Sequence, residues 1–126
     1  MFAADVLAYA AGGVLVLWGV AHIAPTRSVA SSFGSLSVDN RRVLIMEWVA
    51  EGFTHIFVGL LVILMTALEG PFAAGSAVVY RAAAAFLALL VVWTAVTGAR
   101  TPVIWYRSCL VVLTAAAALL VAASLV

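Results

Sequence analysis

Lysine is absent from this chain, cysteine occurs once and proline three times. With no lysine and a formal net charge of +1, the chain has no basic footprint for nucleic acid. The lone thiol, Cys109, excludes an internal disulfide and falls short of any cysteine-based metal motif. Charge of either sign is scarce: Asp, Glu, Lys and Arg make up 9% of the residues, against about 25% in ordinary soluble domains. A water-soluble fold of 126 residues needs far more polar surface than that. Apolar residues take its place, at 67% of the chain and a mean hydropathy of +1.28. Lipid is therefore the expected solvent for most of the surface.

Four apolar runs follow one another, over about residues 5–24, 43–68, 77–98 and 105–126, each near the ~20 residues needed to span a hydrocarbon core. Pro25 ends the first run, Gly70-Pro71 follows the second, and Pro102 separates the third from the fourth. None alternates as a half-buried strand would. The expectation is an all-α fold: an integral membrane four-helix bundle, with residues 1–126 as one transmembrane domain. The first run is expected to be a helix of the mature protein, not a cleaved signal. Asp5 is the only charged side chain before Arg27, and Trp18 and His22 stand where a cleavage region would be small. The connection 25–42 is the longest and least regular. Its serines suggest flexibility, and Val29, Phe33, Leu36 and Val38 supply apolar points, as in a solvated loop or an interfacial lid.

Arginine placement gives an expected orientation. Arg27, Arg41 and Arg42 sit in the first connection, and Arg100 and Arg107 flank the third; Arg81, one turn into the third helix, argues weakly the other way. The positive-inside rule then puts these two connections in the cytoplasm and both termini outside, as in a bacterial inner (plasma) membrane. Trp18, Trp48, Trp93 and Trp105 all fall in the cytoplasmic half, and the outer half is mostly Ala, Val and Leu. An aromatic belt with snorkelling arginines accounts for Trp105, Tyr106, Arg100 and Arg107. It does not account for Glu51 and His55, which lie deeper.

Glu47, Glu51 and His55 recur every fourth residue of the second span. Each such step turns a helix by about 40°, so the three fall on one narrow stripe that can face the bundle interior. Ionisable groups at this depth are costly and seldom kept without a partner or a task. Two neighbouring carboxylates repel in a low dielectric unless a proton, an arginine, a histidinium or a metal cation intervenes. His22, His55, Arg100 and Arg107 are the cationic candidates. Plainer readings stand beside these: Glu47 near a helix N-terminus, His55 bonded to a carbonyl, His22 as a helix-end group, and Cys109 as an inert small hydrophobe. Gly12 with Gly19, and Gly52 with Gly59, mark close helix contacts. The candidate ligand-binding set is Glu47, Glu51, His55, His22, Trp18, Trp48, Trp93 and Arg107.

No metal site is assigned from the sequence, and no cofactor is identified. Di-iron bundles carry Glu-x2-His on two helices, whereas a single helix here holds the density. Haem between His22 and His55 is disfavoured by an expected depth difference of about 12 Å at ~1.5 Å per residue. A pocket of carboxylates and aromatic rings suits a small hydrophobic or cationic ligand, or a helix of a partner subunit or second copy. The alternatives are acid/base proton transfer on a lipid and an oligomeric proton-coupled exporter.

The layout resembles the DoxX-like group of small four-helix membrane proteins through Gly19-x2-His22-x2-Pro25, Asn40-Arg41-Arg42 and Glu51-Gly52. That resemblance implies a four-helix membrane fold and carries no functional residue across. The chain is also similar in layout to sterol-isomerase-like and sigma-2-receptor-like bundles, where acidic and aromatic residues line a membrane pocket. Small multidrug transporters have a comparable length, but their embedded Glu is in the first helix; here the carboxylates are in the second.

Overall fold

The computed structural model describes residues 2–126. Its elements are α1 (Phe2–Ile23), α2 (Thr26–Ser32), α3 (Val38–Glu69), α4 (Ala74–Val96), a 3-10 turn (Gly98–Arg100) and α5 (Ile104–Ala123). Among the described residues α1, α3, α4 and α5 are the helices long and apolar enough to cross a membrane. No β-strand is found among those residues, and the chain is an integral membrane four-helix bundle.

The second span is longer at its start than hydropathy suggested. Ser37 is its N-cap, with the Ser37 hydroxyl accepting from the Asn40 backbone N–H at 3.2 Å. Its 32 residues extend over about 48 Å at ~1.5 Å per residue, beyond a hydrocarbon core of about 30 Å. The first turns, carrying exposed Asp39, Arg41 and Arg42, supply the excess. Counted back from Glu69, about 20 residues of span bring Glu47 to the mouth of the bundle, with Glu51 one turn and His55 two turns inside.

Glycine sets the closest helix pair. α1 and α3 run antiparallel, with Gly12 opposite Gly59 and Gly19 opposite Gly52. A Cβ at Gly19 would lie 2.6 Å from the Gly52 carbonyl oxygen, and one at Gly59 2.6 Å from that of Gly12. The backbones meet where side chains are missing, as in small-residue membrane interfaces. α1 also packs on α5, and α5 on α4, around Leu15, Val62, Leu87, Leu113 and Leu120, all fully buried.

α3 and α4 close the ring only at one end. Gly70, at φ 80°, ends α3 in a conformation that glycine adopts without strain. Ser76 Oγ then donates to Gly70 O at 2.7 Å, and the Thr66 and Tyr80 hydroxyls meet at 2.6 Å. Toward the other end the two helices leave a cleft between them. The Tyr80→Phe variant is expected to lose about 1 kcal/mol, because Thr66 keeps its bond to Val62 O at 2.7 Å. Its unfolding midpoint in a denaturing-detergent titration should fall; an unchanged midpoint contradicts the assignment.

The first connection is not the irregular segment its serines suggested. Residues 26–32 form α2, whose Val29 and Ala30 are buried. Val29 packs in a cluster with Trp48 and Val103, and Trp105 and Tyr106 lie against it. Burial of that apolar edge, with Ser32 Oγ donating to Val29 O at 2.7 Å, offsets the weak helix propensity of serine. α2 thus roofs the end of the bundle at which α1 finishes and α3 begins.

Candidate functional site

Beneath that roof, Trp48 fixes His22. The Trp48 indole N–H donates to the His22 carbonyl at 2.7 Å, and its ring stacks on the His22 imidazole at 3.9 Å between centroids. His22 lies in the last turn of α1, where carbonyls lack intrahelical donors, so the indole supplies a missing partner. Trp18 meets His22 edge-on at 6.4 Å, and Tyr106 meets Trp48 edge-on at 5.2 Å.

His22 and His55 are closer than their positions along the helices suggested: the ring centroids are 5.6 Å apart. The glycine register sets His22 level with Val49, which reduces the backbone offset from His55 to about 9 Å. Side chains lean toward the N-terminus of their own helix. In this antiparallel pair that carries His22 inward and His55 outward, and the two rings converge. The expected depth difference of about 12 Å therefore does not hold for the two rings.

Glu51 completes the centre. Its Oε2 lies 3.5 Å from His22 Nε2, and Cys109 Sγ approaches its Oε1 at 3.9 Å. Donor atoms of Glu51, His55 and Cys109 all lie within 4.8 Å of one another. His22, His55 and Cys109 are fully buried, and the Glu51 side chain is 24% exposed. The sequence reading missed Cys109, because nothing in the spacing of a lone thiol in the fourth span shows that it meets the Glu51 stripe of the second.

The polar accounting is incomplete. Both ring nitrogens of His22, both of His55 and the Trp18 indole nitrogen are buried without a hydrogen-bond partner among the described residues. The 3.5 Å approach of His22 to Glu51 is an ion-pair distance and not a well-formed hydrogen bond. Buried polar groups are nearly always satisfied, so five such unpartnered nitrogens in one place set this centre apart from the rest of the core.

Outside this centre lies the cleft between α3 and α4, about 460 Å³ in volume, with Glu47, Trp48, Glu51, Thr54, Trp93 and Tyr106 among its lining residues. Glu51 belongs to both spaces, with its oxygens toward His22 and Cys109 and its exposed part toward the cleft. The inward stripe proposed from spacing is thus divided. Glu51 and His55 point into the buried centre, whereas Glu47 is exposed at the mouth. The buried cluster is Glu51, His55 and Cys109, with His22 beside it, rather than Glu47, Glu51 and His55. Trp93 is 65% exposed on the cleft wall. Arg107 is exposed and lies off the cleft lining. Among the described residues no arginine stands within ion-pair distance of Glu47 or Glu51, so arginine does not relieve their repulsion.

No protein-family model, curated protein or solved structure matches this chain.

Proposed function

We propose that this protein binds a small amphiphilic cation in the cleft between α3 and α4. The observation that carries this reading is the exposed carboxylate of Glu47, with part-exposed Glu51 behind it, lining without an arginine a cavity walled by Trp48, Trp93 and Tyr106. Aromatic faces attract cations by about 0.5–2 kcal/mol, most where water is excluded, and a carboxylate supplies the counter-charge. The cavity falls in the range of small-ligand pockets, ~300–1,000 Å³. Because α3 and α4 part toward this end, a lipid-dissolved ligand can enter sideways. In the orientation that the arginines favour, with both termini outside a bacterial inner membrane, the cleft opens on the cytoplasmic half. The resemblance to DoxX-like proteins agrees with this layout and adds no ligand.

Tetraphenylphosphonium is a suitable probe, followed by calorimetry on protein in lipid nanodiscs. Saturable binding of one equivalent is expected, weakened about tenfold or more by Trp93→Ala and by Glu47→Gln. Wild-type protein without saturable binding, or variants that bind as well as wild type, would refute the reading. The approach of His22 to Glu51 beside a lateral opening favours a second reading, acid/base proton transfer on a lipid. Under that reading, Glu51→Gln abolishes turnover of a lipid substrate.

A further inference from the structure

We propose that Glu51, His55, Cys109 and His22 form a binding site for a divalent transition-metal ion, zinc by preference, at the inner wall of the cleft. Two imidazoles, a thiolate and a carboxylate are a borderline-soft donor set, which suits zinc better than magnesium or calcium. Zinc's lack of a ligand-field preference lets it accept a mixed N/O/S set.

The spacing fits. Zinc ligands at ~2.0 Å for nitrogen or oxygen and ~2.3 Å for sulfur imply tetrahedral separations of about 3.3 Å between nitrogen and oxygen, and about 3.5 Å between oxygen and sulfur. The separations here are 3.5 Å for His22 Nε2 to Glu51 Oε2 and 3.9 Å for Cys109 Sγ to Glu51 Oε1. Cys109 and His22 thus meet different oxygens of one carboxylate, and His22 joins the cluster of Glu51, His55 and Cys109 as an outer, fourth donor. The donors of Glu51, His55 and Cys109, all within 4.8 Å of one another, need to close by up to about 1.5 Å to share one ion.

Charge and polar satisfaction agree with the spacing. A thiolate and a carboxylate neutralise a divalent ion, and two neutral imidazoles leave the sum at zero. A neutral site is what a membrane interior tolerates. An ion would also take one nitrogen from each histidine ring, where at present all four ring nitrogens are buried and without a partner among the described residues. Glu51, part-exposed to the cleft, gives the ion its route in past Glu47.

The site goes beyond the cleft reading and is separable from it. Metal binding would occupy Glu51 and leave Glu47 as the free carboxylate of the cleft, so zinc should weaken phosphonium binding. The test is Co²⁺ titration of chelator-treated protein in nanodiscs, followed by absorption. One saturating equivalent is expected, with the intense visible bands of four-coordinate Co²⁺ and a near-ultraviolet thiolate charge-transfer band, both removed by equimolar Zn²⁺. Cys109→Ser, a near-isosteric change, should abolish the charge-transfer band. His55→Gln should weaken binding at least about tenfold, and Glu47→Gln should leave it unchanged. Absence of saturable Co²⁺ binding by the wild type, or identical spectra for wild type and Cys109→Ser, would overturn the proposal. Loss of phosphonium binding with Co²⁺ binding intact counts against the cleft alone; the reverse counts against the metal alone.

Discussion

Gly19→Val is expected to force α1 away from α3 and to cost more than about 3 kcal/mol, beyond the usual range for overpacking. The added Cβ would meet the Gly52 carbonyl oxygen at 2.6 Å and the Ile56 backbone nitrogen at 3.0 Å. Neither is the flexible end of a side chain, so the clash is relieved only by moving a whole helix. Such a shift also forfeits the dispersion contacts along the antiparallel seam. His22 is one turn from Gly19, so the buried centre should open as well. Gly13→Ala is the matched control: a Cβ there meets nothing within 4 Å, and the better helix propensity of alanine makes the change neutral or stabilising by up to about 1 kcal/mol. Detergent-unfolding midpoints for the two variants should move in opposite directions or differ widely. A Gly19→Val protein as stable as Gly13→Ala would refute the seam.

Trp48→Ala carries the second large effect, an expected loss of about 3–5 kcal/mol. The side chain is 2% exposed and bridges α2, α3 and α5 through Val29, Val103 and Tyr106. It also holds His22 by its carbonyl and its ring. Trp48→Phe separates these roles. An aromatic face remains for stacking, but the buried His22 carbonyl loses its donor, at a cost of about 1–3 kcal/mol. Equal stabilities for Trp48→Phe and wild type would show that the indole bond contributes nothing. Equal stabilities for Trp48→Ala and wild type would remove the account of how His22 is held.

Much of this architecture was legible in the residues, because a membrane helix announces itself by length and apolarity alone. The four spans, the glycines seven apart and the crowding of tryptophan at one end all follow from one-dimensional patterns. Glu51 and His55 were legible too, since a four-residue step keeps them on one face. What escaped depends on register between helices. Glu47 shares the stripe of Glu51 but lies one turn nearer the mouth, where α4 has splayed away, and so it faces the cleft. His22 seemed too shallow for His55 until the glycine pairing fixed the offset and the opposed lean of the two side chains closed it. Cys109 gives no signal of its own, because only the packing of α1 on both α3 and α5 brings it near Glu51. The serines of residues 28–32 pointed to a loop, whereas two buried apolar side chains, Val29 and Ala30, hold that stretch as a helix.

His22 and His55 are the only histidines in the chain, so their four ring nitrogens can be followed by nitrogen-15 NMR without overlap from other imidazoles. Chelator-treated protein in nanodiscs would be recorded before and after one equivalent of Zn²⁺. If the two rings line one guest site, one nitrogen of each shifts in step with added metal and saturates together with the other. Rings that keep their shifts, or only one that responds, would mean that the buried imidazoles do not share a guest.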